Sequence, residues 1–223
     1  MRSILKGNFS HIIFLVAILA VILMIMAYLK SGMFKMKPLN IPEFEGSIAV
    51  VENRYFNKLY HFAISLPNTD WELSYSKKVD SLKKQDKTLP LLDNMNMMLK
   101  MIRRDLGDTL SIIKVGIIDL SDPRTPQSLA DQSLKELKKS VAPYDTLSIV
   151  AGTTLSGAAS NQGAFHVIEF PGIKYSKYPV WVSMFFNYNK LAYVVHCQVK
   201  SEYYGFFKTD FESVLKSFRL FKS

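Results

Sequence analysis

The side chains able to do chemistry in this chain are few and scattered. Its four histidines are His11, His61, His166 and His196, and its single cysteine is Cys197. One cysteine rules out an intrachain disulfide framework and any multi-cysteine zinc site. The adjacent pair His196 and Cys197 has the composition of a nucleophilic couple, in which an imidazole generates a thiolate. On a strand, however, neighbouring side chains project to opposite faces, so the spacing predicts a buried, inert thiol with His196 pointing away from it. His61 and His166, with Asp119 or Asp122 as a carboxylate, have the ligand types of a metal site, although nothing in their spacing requires them to converge. The four methionines from Met95 to Met101 are read as core filling. The chain contains no G-x-S-x-G, G-x-G-x-x-G, Walker or H-E-x-x-H motif. These residues predict a protein without a catalytic site or cofactor, in which His61, His166 and Asp119 are the candidate metal ligands.

Charge narrows the partners. The 223 residues hold 28 basic and 19 acidic side chains, a formal net charge of +9. Lysine outnumbers arginine 22 to 6, and no basic segment is interleaved with the aromatics that stack on bases, so a nucleic-acid partner is not expected. Lys30, Lys35 and Lys37 follow directly on an apolar run. There they read as membrane-surface residues, each attracted to anionic headgroups by up to ~1 kcal/mol.

The apolar run is Ile12 to Leu29, 18 residues without a charge, proline or glycine. At about 1.5 Å per residue it reaches roughly 27 Å as a helix, close to the ~30 Å hydrocarbon core of a bilayer. It is longer than the ~7 to 15 residues of a secretory signal and ends in Tyr28, Leu29 and Lys30, with no small-x-small cleavage site. An uncleaved anchor is therefore expected. The organisation that follows is a short tail over 1–11, a transmembrane helix over 12–29, a linker over 30–45 and a globular domain over 46–223. Lysine and arginine counts on the two sides of the span nearly balance, which leaves its orientation open.

Within the domain, Tyr178 to Tyr188 and Leu191 to Lys200 read as a β-hairpin closed by Asn189 and Lys190. That turn pairs Phe186 with Tyr193, Met184 with Val195 and Val182 with Cys197 on an apolar face. Ser183 pairs with His196, and Trp181 with Gln198, on a mixed one. Phe207, Phe211, Val214, Leu215 and Phe218 recur at helical spacing and predict a helix over 203–217. Thr125 and Pro126 announce a second helix, with Ala130, Leu134, Leu137 and Val141 as its apolar stripe. Further strands are expected over 60–66, 97–104, 110–119, 146–155 and 164–170. The lysine-rich stretch 74–89 reads as a mobile basic loop.

Taken in order, several short segments resemble the PsbP-like family, named for an extrinsic subunit of the photosynthetic oxygen-evolving complex. They are Tyr60 to Pro67 with Trp71, then Val115 to Leu120 followed by Ser128 and Leu129. Leu191 to Val195 and the closing Phe211, Ser217, Phe218 and Arg219 complete them. The resemblance spans about residues 50 to 220. It implies an α+β fold, an α/β/α sandwich with a central antiparallel sheet, here preceded by one transmembrane helix. It also implies a domain that is not an enzyme and serves as an interaction or assembly module for a protein partner in a membrane-associated complex. The domain is then expected outside the cytoplasm, in the periplasm or at the cell surface. A small-ligand or metal-binding domain is the alternative. The chain departs from the family in its anchor and its lysine-rich loop, and no metal-binding residues of the photosynthetic members align with it.

Overall fold

Strand β10 (Leu191–Val199) is buried along almost its whole length, on both faces. A strand with no solvent-facing side must lie in the middle of a sheet and be covered above and below. The computed structural model, which describes residues 39–76, 81–140, 148–157, 161–169 and 177–221, places it so. On one side β10 pairs with β9 (Val180–Tyr188) in the expected register, Val195 opposite Met184 and His196 opposite Ser183, across a turn in which Asn189 has φ of 54°. On its other side lies β6 (Asp108–Asp119), which is joined to β5 (Asn96–Asp105) by Leu106 and Gly107. Both turn residues have positive φ, 47° and 84°, the requirement of a tight type I′ hairpin. A bulge between Met97 and Leu99 lets the consecutive residues Met98 and Leu99 both enter the main core.

Strand β4 (Trp71–Tyr75) extends the sheet beyond β5, while β8 (Asn161–Glu169) and β7 (Ser148–Gly157) extend it beyond β9. The order is β4-β5-β6-β10-β9-β8-β7, and every neighbouring pair is antiparallel. Helix α1 (Pro126–Ser140) packs on β8 and β9, and helix α2 (Tyr204–Ser217) approaches the sheet through β7, β9 and β10. Their buried residues belong to two separate apolar clusters. Phe207, Phe211, Val214 and Leu215 of α2 join the cluster that holds Val195 and Cys197, whereas Leu129 and Ala130 of α1 join the one that holds Phe185 and Val194. The helices therefore cover opposite faces, as an α/β/α sandwich requires.

The expected single sheet needs correction. A second, four-stranded sheet, in the order β1 (Ile48–Val51), β2 (Arg54–Asn57), β3 (Phe62–Ser65) and β11 (Arg219–Leu220), accompanies the large one. Its Tyr55, Phe62 and Ile64 are buried in the same cluster as α2, so that layer is part helix and part sheet. The stripe of α1 also differs from the expected one. Leu129, Ala130 and Ser133 are buried and Leu134 and Leu137 half-buried, because the helix rests on its N-terminal half. Thr125 caps it as expected, its Oγ1 accepting from the Ser128 amide at 3.2 Å. The later part of the lysine-rich stretch is tied down: the Asn94 side-chain amide donates to the carbonyls of Asp86, Leu89 and Pro90.

The tail, the expected span over 12–29 and Lys30, Lys35 and Lys37 lie outside the described residues. Among the described residues no helix is long and apolar enough to cross a membrane.

The aromatic centre of the main core is Phe218, the residue that ends α2. Its ring stacks on Phe186 at 4.3 Å and on Phe62 at 5.7 Å, with Tyr193 at 5.8 Å. Gly163 on β8 makes room for this stack, since a Cβ there would come within 2.6 Å of the Phe186 ring. Gly163→Ala should therefore lower stability by about 1–3 kcal/mol, as overpacking does. Gly205→Ala, in α2 with nothing within 4 Å of the added Cβ, should raise it by about 0.5 kcal/mol. Urea midpoints of the two variants, moving in opposite directions, are the measurement.

Candidate functional site

The mixed face of the β9–β10 hairpin carries a polar row that runs across five strands. Register places Lys100 of β5 opposite Lys114 of β6, Lys114 opposite His196 of β10, His196 opposite Ser183 of β9 and Ser183 opposite His166 of β8. The rows on this face are otherwise largely apolar, with Val194, Phe185 and Ala164 buried beneath α1. A cleft of about 450 Å³ opens above the row, between the sheet, α1 and the segment Pro90 to Met97. It lies at the small end of the range for small-molecule pockets.

Each polar group of the row has a distinct status. Ser183 Oγ lies 2.8 Å from His196 Nδ1, and His196 is 3% exposed with the Trp181 ring edge-on at 5.1 Å. His166 is 2% exposed, and its Nδ1 has no hydrogen-bond partner among the described residues. Burial holds both imidazoles neutral, lowering His166 to about 4 and, with help from the Lys114 charge, His196 to about 3. Lys114 is lowered as well, first by burial and then by Lys100, with Asp93 acting in the opposite direction. Neither lysine makes an ion pair or hydrogen bond with a described residue. Glu136 also faces the cleft, but its carboxylate accepts from the Leu91 amide at 2.7 Å and from the Gln132 side chain at 2.6 Å.

The structure separates the three residues named as metal ligands. His61 sits in the turn before β3 with φ of 52°, its ring edge-on to Phe221. Asp119 ends β6, where its carbonyl accepts from the Gln85 amide. Only His166 of the three lines the cleft. Among the described residues no group of three or more His, Cys, Asp or Glu side chains is arranged to hold a metal ion. Cys197 enters the main core and His196 the opposite face, as strand alternation predicts, and burial pushes the thiol pKa up. The methionines divide: Met98 and Met101 fill the main core, while Met95 and Met97 line the cleft. Lys114 was not recognisable as a site residue from its sequence neighbours, because only the pairing of β10 with β6 sets it beside His196, whose place opposite Ser183 the hairpin register had given.

The two neutral histidines set a pH dependence. In the unfolded chain each takes up a proton near pH 6.5, whereas in the fold His166 does so near 4 and His196 near 3. The unfolded state thus binds more protons below pH 6.5. Stability present in full above that pH is lost as the pH falls, by up to ~1.4 kcal/mol per unit and per ring. Urea unfolding should give a lower midpoint at pH 5 than at pH 7, and His166→Gln should shrink the difference. Equal midpoints would be inconsistent with neutral burial.

No family model matches the chain, and no curated protein matches it. Among solved structures it is similar to cyanobacterial PsbP (CyanoP) from Synechocystis sp. PCC 6803, a solution structure, at 12% identity over 83% of this chain and 100% of that one, with a TM-score of 0.49. It is also similar to a crystal structure from Bacteroides thetaiotaomicron VPI-5482, at 11% identity over 81% of this chain and 50% of that one, with a TM-score of 0.37.

Proposed function

We propose that the chain is a single-pass, membrane-anchored, non-catalytic domain of the PsbP-like kind, which serves outside the cytoplasm as an interaction or assembly module in a membrane-associated protein complex. The anchor rests on the apolar run over 12–29 and its lysine flank. The PsbP-like reading is supported by how the resembling segments meet. Phe62, Tyr193 and Phe218 pack on one another, the Ser65 amide donates to Ser217 Oγ at 2.9 Å, and Tyr193 donates to the Tyr60 carbonyl at 2.9 Å. Trp71 closes the group, edge-on to Phe207 of α2 and donating to Asp210.

The observation that carries the interaction reading is Leu106. It occupies a tight hairpin turn at φ of 47°, a conformation that disfavours a branched apolar side chain and suits asparagine or aspartate. It is also fully exposed, at 101% of its reference area. Neither the backbone nor the core gains from a leucine there. Phe206, 85% exposed, follows closely on β10 at the same end of the sheet, the end where β6 begins and β10 finishes. Two large apolar side chains held out to solvent, of which only Phe206 touches a core ring, are what a partner surface uses. The cleft over the polar row favours small-ligand binding as a second reading, and it involves different residues.

Leu106→Asn separates fold from function. It should leave the urea midpoint unchanged or raise it by about 0.5 kcal/mol, since Asn suits the turn. The native full-length chain, purified in mild detergent, should carry a stoichiometric protein partner by mass spectrometry. Leu106→Asn combined with Phe206→Ser should lose it. A stoichiometric metal with no protein partner would overturn the assembly reading.

A further inference from the structure

We propose that the outer edge of β7 pairs with the same edge of a second copy of this chain, antiparallel and about a two-fold axis, with Val150 opposite the partner's Val150. The pairing joins two seven-stranded sheets into one continuous sheet. It goes beyond the interaction reading and does not depend on it.

The outer strand of a sheet presents a row of amide and carbonyl groups that another chain can extend, and proteins blunt such edges with short strands, charges or proline. The two sheets have four edges among the described residues, and three of them are blunted. β1 has four residues, and β11 has two, one of them Arg219. β4 has five and carries the exposed Glu72, which is ion-paired with Arg104 of its neighbour. β7 is different: it has ten residues, no charge and no proline, and among the described residues β8 is its one paired strand. The neutrality extends past the strand. Residues 146–168 contain no Asp, Glu, Lys or Arg, in a chain of which 21% of residues are charged. A long, uncharged edge is an aggregation hazard for a domain that works alone, and it is what a strand-pairing interface requires.

Neutrality also selects the occupant. A two-fold axis sets each residue of a strand against a residue of the same strand, so a charge near the axis meets its own like charge. β7 has no charge to oppose, whereas an incoming strand that carried charges would find no counter-charge along it. The chain thus supplies, in β7 itself, the uncharged extended segment that its edge accepts. The register follows from the bulge between Gly152 and Leu155, which interrupts the regular pairing of β7 with β8. The regular part is 148–152, and its centre is Val150. About that centre Ile149 lies opposite the partner's Ala151, and Ser148 opposite the partner's Gly152. The β-branched Ile149 and Val150, residue types that favour strands, are then at or next to the axis.

Sedimentation velocity of the full-length chain in a non-ionic detergent should show a dimer at micromolar concentration. Val150→Lys and Val150→Glu should each weaken it about tenfold or more, because like charges then meet at the axis. An equimolar mixture of the two variants should restore it, a rescue that only a strand meeting its own copy gives. Val150→Cys, a smaller change, should oxidise to a covalent dimer, since residues directly opposite on antiparallel strands have Cα atoms about 4.5 to 5.5 Å apart, within reach of a disulfide. The native Cys197 is buried and does not compete, and Leu59→Cys, exposed in another turn, should stay unlinked. Where a charge at position 150 lowers the urea midpoint, the cysteine cross-link decides alone. A monomeric native chain, a dimer that persists in both charged variants, or a mixture of the folded variants that stays monomeric would overturn the proposal. So would Val150→Cys that forms no cross-link or links to a different protein. Leu106→Asn with Phe206→Ser should leave the dimer intact, so failure of the partner surface and failure of the edge are told apart.

Discussion

A strand buried on both faces imposes the plan of this molecule. With β10 apolar on one side and buried though mixed on the other, it must have a neighbour at each edge and a covering layer above and below, or its side chains meet water. β9 and β6 fill the edges. The two coverings are unequal. One face is closed by α2 together with the small sheet, which brings about two dozen buried residues into one cluster centred on Phe218. The other is closed by α1 and the segment around Leu91, a smaller cluster that reaches only part of the sheet. The main core supplies most of the fold's stability, and the second face is left with room for something else.

That inequality explains why polar groups collect where they do. Along β10, Ala192 and Val194 are sealed under the α1 cluster, and His196 and Gln198 follow at the same face where α1 no longer seals it. The same progression occurs on β6, from Ile118 through Gly116 to Lys114. Gly116 belongs to this transition, because a Cβ there would meet Met95, one wall of the cleft, at 2.0 Å. The row of lysine, histidine and serine is thus the border between a packed half-face and an open one. Within that row Ser183, His166 and His196 are buried and the two lysines are half-buried, so only its lysine end meets solvent.

Much of this was legible from residues. The hairpin turn at Asn189, the alternation of β9 and β10, the aromatic spacing of α2 and the Thr125 cap are local signals, each set by neighbours within a few positions, and the structure reproduces them. What sequence reading missed depends on distant pairing. β1 and β2 are four-residue strands, too short for periodicity to register, and β11 is two residues that pair with β3 over 150 positions away in the chain. The α1 stripe was set to one side of the buried arc: Ala130 is buried as expected and Leu134 and Leu137 are half-buried, Leu129 and Ser133 are buried although the stripe left them out, and Val141 lies outside the described residues. For the site, His166 was named for its type and proves to be in a cleft. His61 and Asp119 were named for the same reason and are elsewhere, since ligand type without register has no geometric content.

The features left unexplained by folding are the informative ones. A sequence selected only for stability would place asparagine at position 106, and would not set Lys100 against Lys114. It would also give His166 Nδ1 a hydrogen-bond partner. Each departure costs the isolated domain something, and they fall in two groups: an exposed apolar end of the sheet, and a polar row beneath the cleft on the α1 face. Local disagreement with an otherwise consistent fold is where function is expected. The core residues carry the resemblance in sequence, so a fold of this kind can be inherited intact while its turn tip and its thinly covered face are free to change. On that argument the exposed Leu106 turn and the thinly covered α1 face are the two places where the chain departs from what folding alone requires.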